Sequence, residues 1–81
     1  MKATVLIRPK EGILDPQGEA VGEALRALGF AVTSARVGRL VDVDLETDDP
    51  AEAEVALVAM SRDLLANPTI ESFAIELGDD A

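Results

Sequence analysis

Twice in 81 residues, at Asp15-Pro16 and again at Asp49-Pro50, an aspartate is followed at once by a proline and then by a run of helix formers. An Asp side chain can accept a hydrogen bond from the free N–H groups of a first helical turn. A proline at the first helical position loses nothing, because the N–H it lacks would have had no partner there. Two helices are therefore expected to start at these points, and each is preceded by a segment with the alternation of a strand. Glu52 stands three residues after Asp49, where it can complete a capping box.

The segments around these two starts are short and regular. Residues 3–8, "ATVLIR", place Ala3, Val5 and Ile7 on one face and Thr4, Leu6 and Arg8 on the other, which is the pattern of a strand ending at Pro9. In the first helix Val21, Ala24, Leu25 and Leu28 form the apolar stripe, Glu19, Glu23 and Arg26 face water, and Gly29 provides a left-handed C-cap. "FAVTSARV" and "RLVDVDLE" flank Gly38 and read as strands two and three, with Val41, Val43 and Leu45 inward and Asp42, Asp44 and Glu46 outward. A turn at Val37-Gly38-Arg39 makes them a hairpin; the alternative is one long bent strand with a bulge at Gly38. The second helix runs from the second Asp-Pro to Ala66. "ESFAIEL" then directs Phe73, Ile75 and Leu77 inward as strand four, before a frayed "GDDA" tail.

The order β-α-β-β-α-β is closed most simply as a ferredoxin-like α+β fold: an antiparallel sheet with both helices on one face. At this length residues 1–81 form one domain. With no Cys and no His, disulfides, thiol chemistry and the usual zinc sites are excluded, so a small core that needs reinforcement is left with oligomerisation. The second helix carries surplus apolar residues. Ala53, Leu57, Met60 and Leu64 suffice to cover a sheet, while Val55, Val58 and Leu65 lie on another side; Leu6, Leu40 and Ala74 fall on the outer sheet face. These residues predict a subunit interface on the second face of the helix, on the open sheet face, or on both.

The net charge of −9 comes from 16 acidic and 7 scattered basic residues, with two Phe and no Tyr or Trp. This excludes a nucleic-acid stripe or stacking platform and disfavours anionic membranes. No run is long enough to span a bilayer and Met1-Lys2 leads directly into a strand, so a cytoplasmic protein is expected. Candidate chemistry is sparse. Ser34, Ser61 and Ser72 lack a nucleophile-elbow context, Lys10 and Glu11 make at best a loop ion pair, and no phosphate-loop pattern is present. Asp42, Asp44 and Glu46 form a carboxylate row that suits solvent or edge protection better than a cation site. Gly18 and Gly22 share one side of the first helix and have two readings of equal weight: tolerated weakness, or close approach of another backbone.

Taken together, "VLIRPKEGILDPQGEAVGEALRALGF", "ARVGRLVDVDL" and "LLANPTIESFAIEL" resemble the PurS family, the small subunit of phosphoribosylformylglycinamidine synthase. The most specific pieces are Asp15-Pro16-Gln17-Gly18 and Leu65-Ala66-Asn67-Pro68 followed by Ile70-Glu71. The resemblance implies a subunit without catalytic residues or cofactor of its own. The complex it belongs to uses ATP, Mg and glutamine, and it bridges a glutaminase subunit and a large synthetase subunit as a homodimer or homotetramer, assisting ammonia transfer. Arg39 stands where the family pattern more often has Lys, and Met60-Ser61 where it often has Met-Cys. Asp15, Gln17, Gly18, Asn67 and Glu71 are expected to shape partner-facing loops, with Arg36 and Arg39 supplying charge and Val55, Val58 and Leu65 supplying apolar contact. Two rival readings are a ligand-sensing regulatory module of the same element order and a small hydrolase of acylphosphatase type. The hydrolase lacks its anion cradle here.

Overall fold

The structure, a computed structural model, describes residues 1–78. The elements are β1 (Lys2–Pro9), α1 (Pro16–Ala27), β2 (Arg39–Asp44), α2 (Pro50–Met60), a π-helical turn (Ser61–Leu65) and β3 (Glu71–Leu77). The sheet has three antiparallel strands in the order β2-β1-β3, with Val5 opposite both Val41 and Ile75 and Ile7 opposite Arg39 and Phe73. Alternation gives the sheet one buried face. Ala3, Val5 and Ile7 are almost fully buried beneath Ala53, Leu57 and Ala66, with Val41, Val43, Leu45, Met60, Leu65, Phe73 and Ile75 half-buried around them.

Both Asp-Pro starts are helix caps. Asp15 Oδ1 accepts from Gly18 N at 2.9 Å, and Asp49 Oδ1 accepts from Ala51 N at 3.0 Å. The capping box does not form, because Thr47 Oγ1 accepts from the Asp49 N–H that Glu52 would have taken. At the other end of α1, Gly29 adopts φ +96°, its N–H donates to Arg26 O at 3.0 Å, and Phe30 N donates to Leu25 O at 3.1 Å. That is the left-handed closure its glycine predicts.

Four further expectations are corrected. Residues 30–37 pair with no strand, so the expected second strand is absent and β2 begins only at Arg39. Three contacts divert this segment: Val37 N donates to Asp15 Oδ2 at 2.9 Å, Arg36 Nη2 donates to Pro9 O, and Gly38 lies against Ile7 and Arg8, its absent Cβ 3.3 Å from Arg8 Cα. The chain is thus drawn toward the start of α1 instead of turning back along β2.

The second correction follows from the first. Of the two helices expected on one face, only α2 lies on the sheet; no α1 residue joins the core, and Val21 and Leu28 of its stripe are 42% and 74% exposed. The buried residues of α1 are Gly18 and Gly22, which face residues 35–36. With α1 beside the sheet rather than over it, the chain is a slab of 46 × 32 × 13 Å. Its radius of gyration is 15.7 Å, against about 12 Å for a compact domain of this length.

The third correction concerns the end of the second helix. Leu64, expected against the sheet, is 83% exposed, whereas Leu65 packs on the core. Ala66 N bonds to Ser61 O, a five-residue step that inserts one residue into the helical phase and rotates Leu65 into the place of Leu64. Fourth, Lys10 does not pair with Glu11; its Nζ donates to Pro68 O at 2.7 Å. Of the expected frayed tail, residues 79–81 lie outside the described residues.

Candidate functional site

Most of the residues singled out by sequence gather at two junctions at the Pro9 end of β1. The first is centred on Asp15. Its carboxylate caps α1 through Gly18 N and, with its other oxygen, holds Val37 N, so one side chain ties the helix start to a backbone 22 residues away. These two backbone donors, Val37 first and Gly18 second, with the Arg36 charge adding a little, hold the Asp15 carboxyl below its ordinary value against a slight opposing effect of burial. Gly18 is required by the same approach. A Cβ there would stand 2.6 Å from Ala35 O and 2.9 Å from Arg36 Cα, closer than real side chains come. Of the two readings of the glycine pair, close approach is therefore the one observed at Gly18.

The second junction brings together Arg39, Leu65, Asn67 and Glu71. Arg39 Nη1 and Nη2 meet Glu71 Oε2 and Oε1 at 2.5 and 2.9 Å, a two-pronged ion pair that spans the sheet from β2 to β3 across β1. Arg39 Nη2 also donates to Leu65 O at 2.6 Å, placing a cation on a carbonyl left free by the end of the helical turn. Glu71 Oε1 accepts from Asn67 N at 2.8 Å. The Glu71 carboxyl is lowered by Arg39 first and by the Asn67 N–H second, and the Arg39 guanidinium is correspondingly raised by Glu71. Asn67 closes its own turn by accepting from Thr69 N on Oδ1, and its carbonyl accepts from Ile70 N and Glu71 N. With Lys10 N and Nζ donating to Ile70 O and Pro68 O, the loop 66–70 is held from both sides. The bidentate fork needs Arg; a Lys at 39 would supply charge without the second contact.

Gln17 and Val55 join neither junction and are exposed, Val55 at 73%, while Val58 is half-buried. Leu65, expected on an outer face, supplies a carbonyl to the clamp and its side chain to the core. Sequence reasoning missed the Leu65 carbonyl, Lys10 and Val37. Backbone partners carry no residue-type signal, and the role of Lys10 depends on a loop 58 positions away. Among the described residues no group of three or more acidic side chains is placed to hold a metal ion, and no helix is long and apolar enough to cross a membrane.

The arrangement presents a loop held from both sides, with Leu64 exposed before it and Ile70 exposed within it, and a helix on which Val21 and Leu28 are exposed. Comparison with known proteins shows the family. A sequence model of PurS, described as phosphoribosylformylglycinamidine (FGAM) synthase, matches residues 2–79. The PurS subunit of phosphoribosylformylglycinamidine synthase from Archaeoglobus fulgidus is 42% identical over 76 residues, covering 93% of this chain and 95% of the relative. The crystal structure of PurS from Methanocaldococcus jannaschii, one of the subunits of formylglycinamide ribonucleotide amidotransferase, superposes with a TM-score of 0.81 at 33% identity, covering 93% and 92% of the two chains. A chain of the PurLQS structure from Thermotoga maritima has the same fold, with a TM-score of 0.85, 24% identity and 93% coverage of both chains.

Proposed function

Because this chain belongs to the PurS family, we propose that it is the small, non-catalytic subunit of phosphoribosylformylglycinamidine synthase in purine biosynthesis. In this reading it stands between the glutaminase and the large synthetase subunit and assists the passage of ammonia. The observation that carries it is a family match spanning residues 2–79, both junctions included. A non-catalytic role is supported by a sequence with neither His nor Cys and by conspicuous side chains that are spent on holding backbone. ATP, Mg and glutamine are then handled by the other subunits. The Thermotoga maritima PurLQS assembly is the pattern for the partners.

The clamped 66–70 loop with Leu64 and Ile70 beside it, together with Gln17 and Val55, forms the surface offered to those partners. Self-association belongs to the same reading: the bare stripe of α1 and a sheet covered by one helix are two halves of a ferredoxin-like domain that a single copy leaves open. The test is a pull-down of the full chain with the glutaminase and synthetase subunits, with and without glutamine and ADP. A three-component complex is expected in at least one condition. Failure to form it in all of them overturns the assignment.

A further inference from the structure

We propose that the cleft on the outer face of the sheet, at the Pro9 end of β1, is a binding site for a small phosphomonoester. The Arg8 and Arg36 guanidinium groups hold the phosphate, and Leu6 and Leu40 form the wall for the group it esterifies.

Charge singles out this cleft. The chain carries a net charge of −9, yet a concave space of about 280 Å³ is lined by Arg8, Arg36 and Arg39 and by none of the 16 acidic residues. Arg39 is already spent on Glu71 and the Leu65 carbonyl. Arg36 uses Nη2 on Pro9 O and keeps the rest of its fork. Arg8 has neither an ion pair nor a side-chain hydrogen bond among the described residues. The nearest carboxylates do not neutralise these two. Asp15 is committed to Gly18 N and Val37 N, and Asp42 accepts from Thr4 Oγ1 on the far side of the Leu6–Leu40 pair.

Backbone shape makes the room. Leu6 pairs with Leu40 and Ile7 with Arg39, so Gly38 is the residue beside Arg8 as the chain enters β2. A Cβ on Gly38 would collide with Ile7 O and stand 3.3 Å from Arg8 Cα. Glycine there lets the chain cross close to β1, which brings Arg36 to the same cleft as Arg8. Ligand sites run from roughly 300 to 1,000 Å³, so this volume fits a small molecule rather than a dinucleotide-sized one.

Chemistry narrows the ligand further. One guanidinium fork suffices for a carboxylate, as Arg39 and Glu71 show. Two forks without a counter-charge suit a group with three acceptor oxygens and a charge of about −2, which a phosphomonoester carries at neutral pH. An inorganic ion would leave the half-buried Leu6 and the exposed Leu40 in water, whereas the esterified group covers them.

Amide NMR titration of the full chain at constant ionic strength tests this, with ribose 5-phosphate, inorganic phosphate, acetate and ribose as probes. Ribose 5-phosphate is expected to give saturable shifts at residues 6–8 and 36–40, with inorganic phosphate and acetate weaker and ribose silent. Arg8→Gln, which removes no contact within the chain, is expected to raise the ribose 5-phosphate dissociation constant at least ~10-fold, as for loss of a hydrogen bond to a charged group. Arg62→Gln, an exposed cation outside the cleft, is expected to leave it unchanged. Absence of saturable shifts overturns the proposal, and so does an equal effect of Arg62→Gln, which would mean a diffuse ion atmosphere. Acetate binding as tightly as ribose 5-phosphate overturns it in favour of a carboxylate site, and inorganic phosphate doing so removes the esterified group from it. If Arg8→Gln weakens the pull-down while no probe binds, the cleft takes an acidic partner residue and the proposal fails.

Discussion

The half of the molecule built from α2, the π-helical turn and β3 differs sharply from the half built from α1 and the segment after it. In the first, Leu57 and Ala53 are fully buried, Ser61 donates to Leu57 O at 2.7 Å, and the Arg39–Glu71 pair closes the end of the sheet. In the second, the buried residues of the helix are two glycines, Leu25 is half-buried, and Val21 and Leu28 lie open. The two helices start with the same Asp-Pro device, so local capping does not separate them. What separates them is whether a sheet face is available underneath, and a three-stranded sheet with one helix already on it holds only part of what the chain needs to cover.

If the halves differ in this way, substitutions should act unequally on them. The largest effect is expected in the satisfied half: Leu57→Ala should cost about 3 kcal/mol of stability through the cavity it leaves, measured by denaturant unfolding. A loss below ~1 kcal/mol would mean that α2 is not what holds the sheet. Next, Gly18→Ala should cost about 1–3 kcal/mol by forcing Ala35 and Arg36 away from α1. Its signature is specific: the 35–37 amides lose protection while those of β1 keep theirs. Equal loss in both would erase the distinction between the halves.

Arg39→Ala comes third. Removing the fork frees Glu71 and the Leu65 carbonyl, and the melting temperature is expected to fall by roughly 5 °C. Arg39→Lys should recover less than half of that, because a point charge cannot make both contacts. Measuring glutamine-dependent turnover of the reconstituted complex alongside separates a stabilising clamp from a partner contact: melting lowered with turnover unchanged would remove Arg39 from the partner surface. Asn67→Ala, read the same way, tests the loop.

The smallest effect is that of pH, and it should touch both halves at once. Asp15 and Glu71 have folded-state values held below their ordinary 3.8 and 4.5. Their contribution is therefore complete above the unfolded values and is lost as pH falls through the lower folded ones. Stability should be flat from pH 7 to 5 as far as these groups are concerned and decline below about pH 4. In Asp15→Asn the part of that decline belonging to the 35–37 segment should disappear, with protection of residues 35–37 in acid as the readout.

The comparison also sorts what could be read from residues alone. Both helix starts, the glycine closure at Gly29, the inward faces of β1 and β2, Phe73 and Ile75 of β3 and the family itself were legible, because each rests on contacts within a few residues or on a side-chain alternation that any sheet imposes; Leu77, expected inward with them, is exposed at the end of its strand. Gly18 was half legible: its spacing with Gly22 marked a close approach without saying to what. The exchange of roles between Leu64 and Leu65 was not legible, since one inserted residue in the helical phase leaves no mark in composition.

Sequence by itself determined where the elements begin, which faces are apolar, that no thiol or imidazole chemistry is available, and which family the chain resembles. These depend on short-range capping, periodicity and residue type. Only the tertiary structure decided that residues 30–37 leave the sheet, that α1 lies beside it, and that Arg39, Leu65, Asn67 and Glu71 meet. A strand pattern states which face would be buried if a neighbour were present, but whether the neighbour lies in the same chain depends on anchors such as Asp15 to Val37, made between positions far apart in sequence.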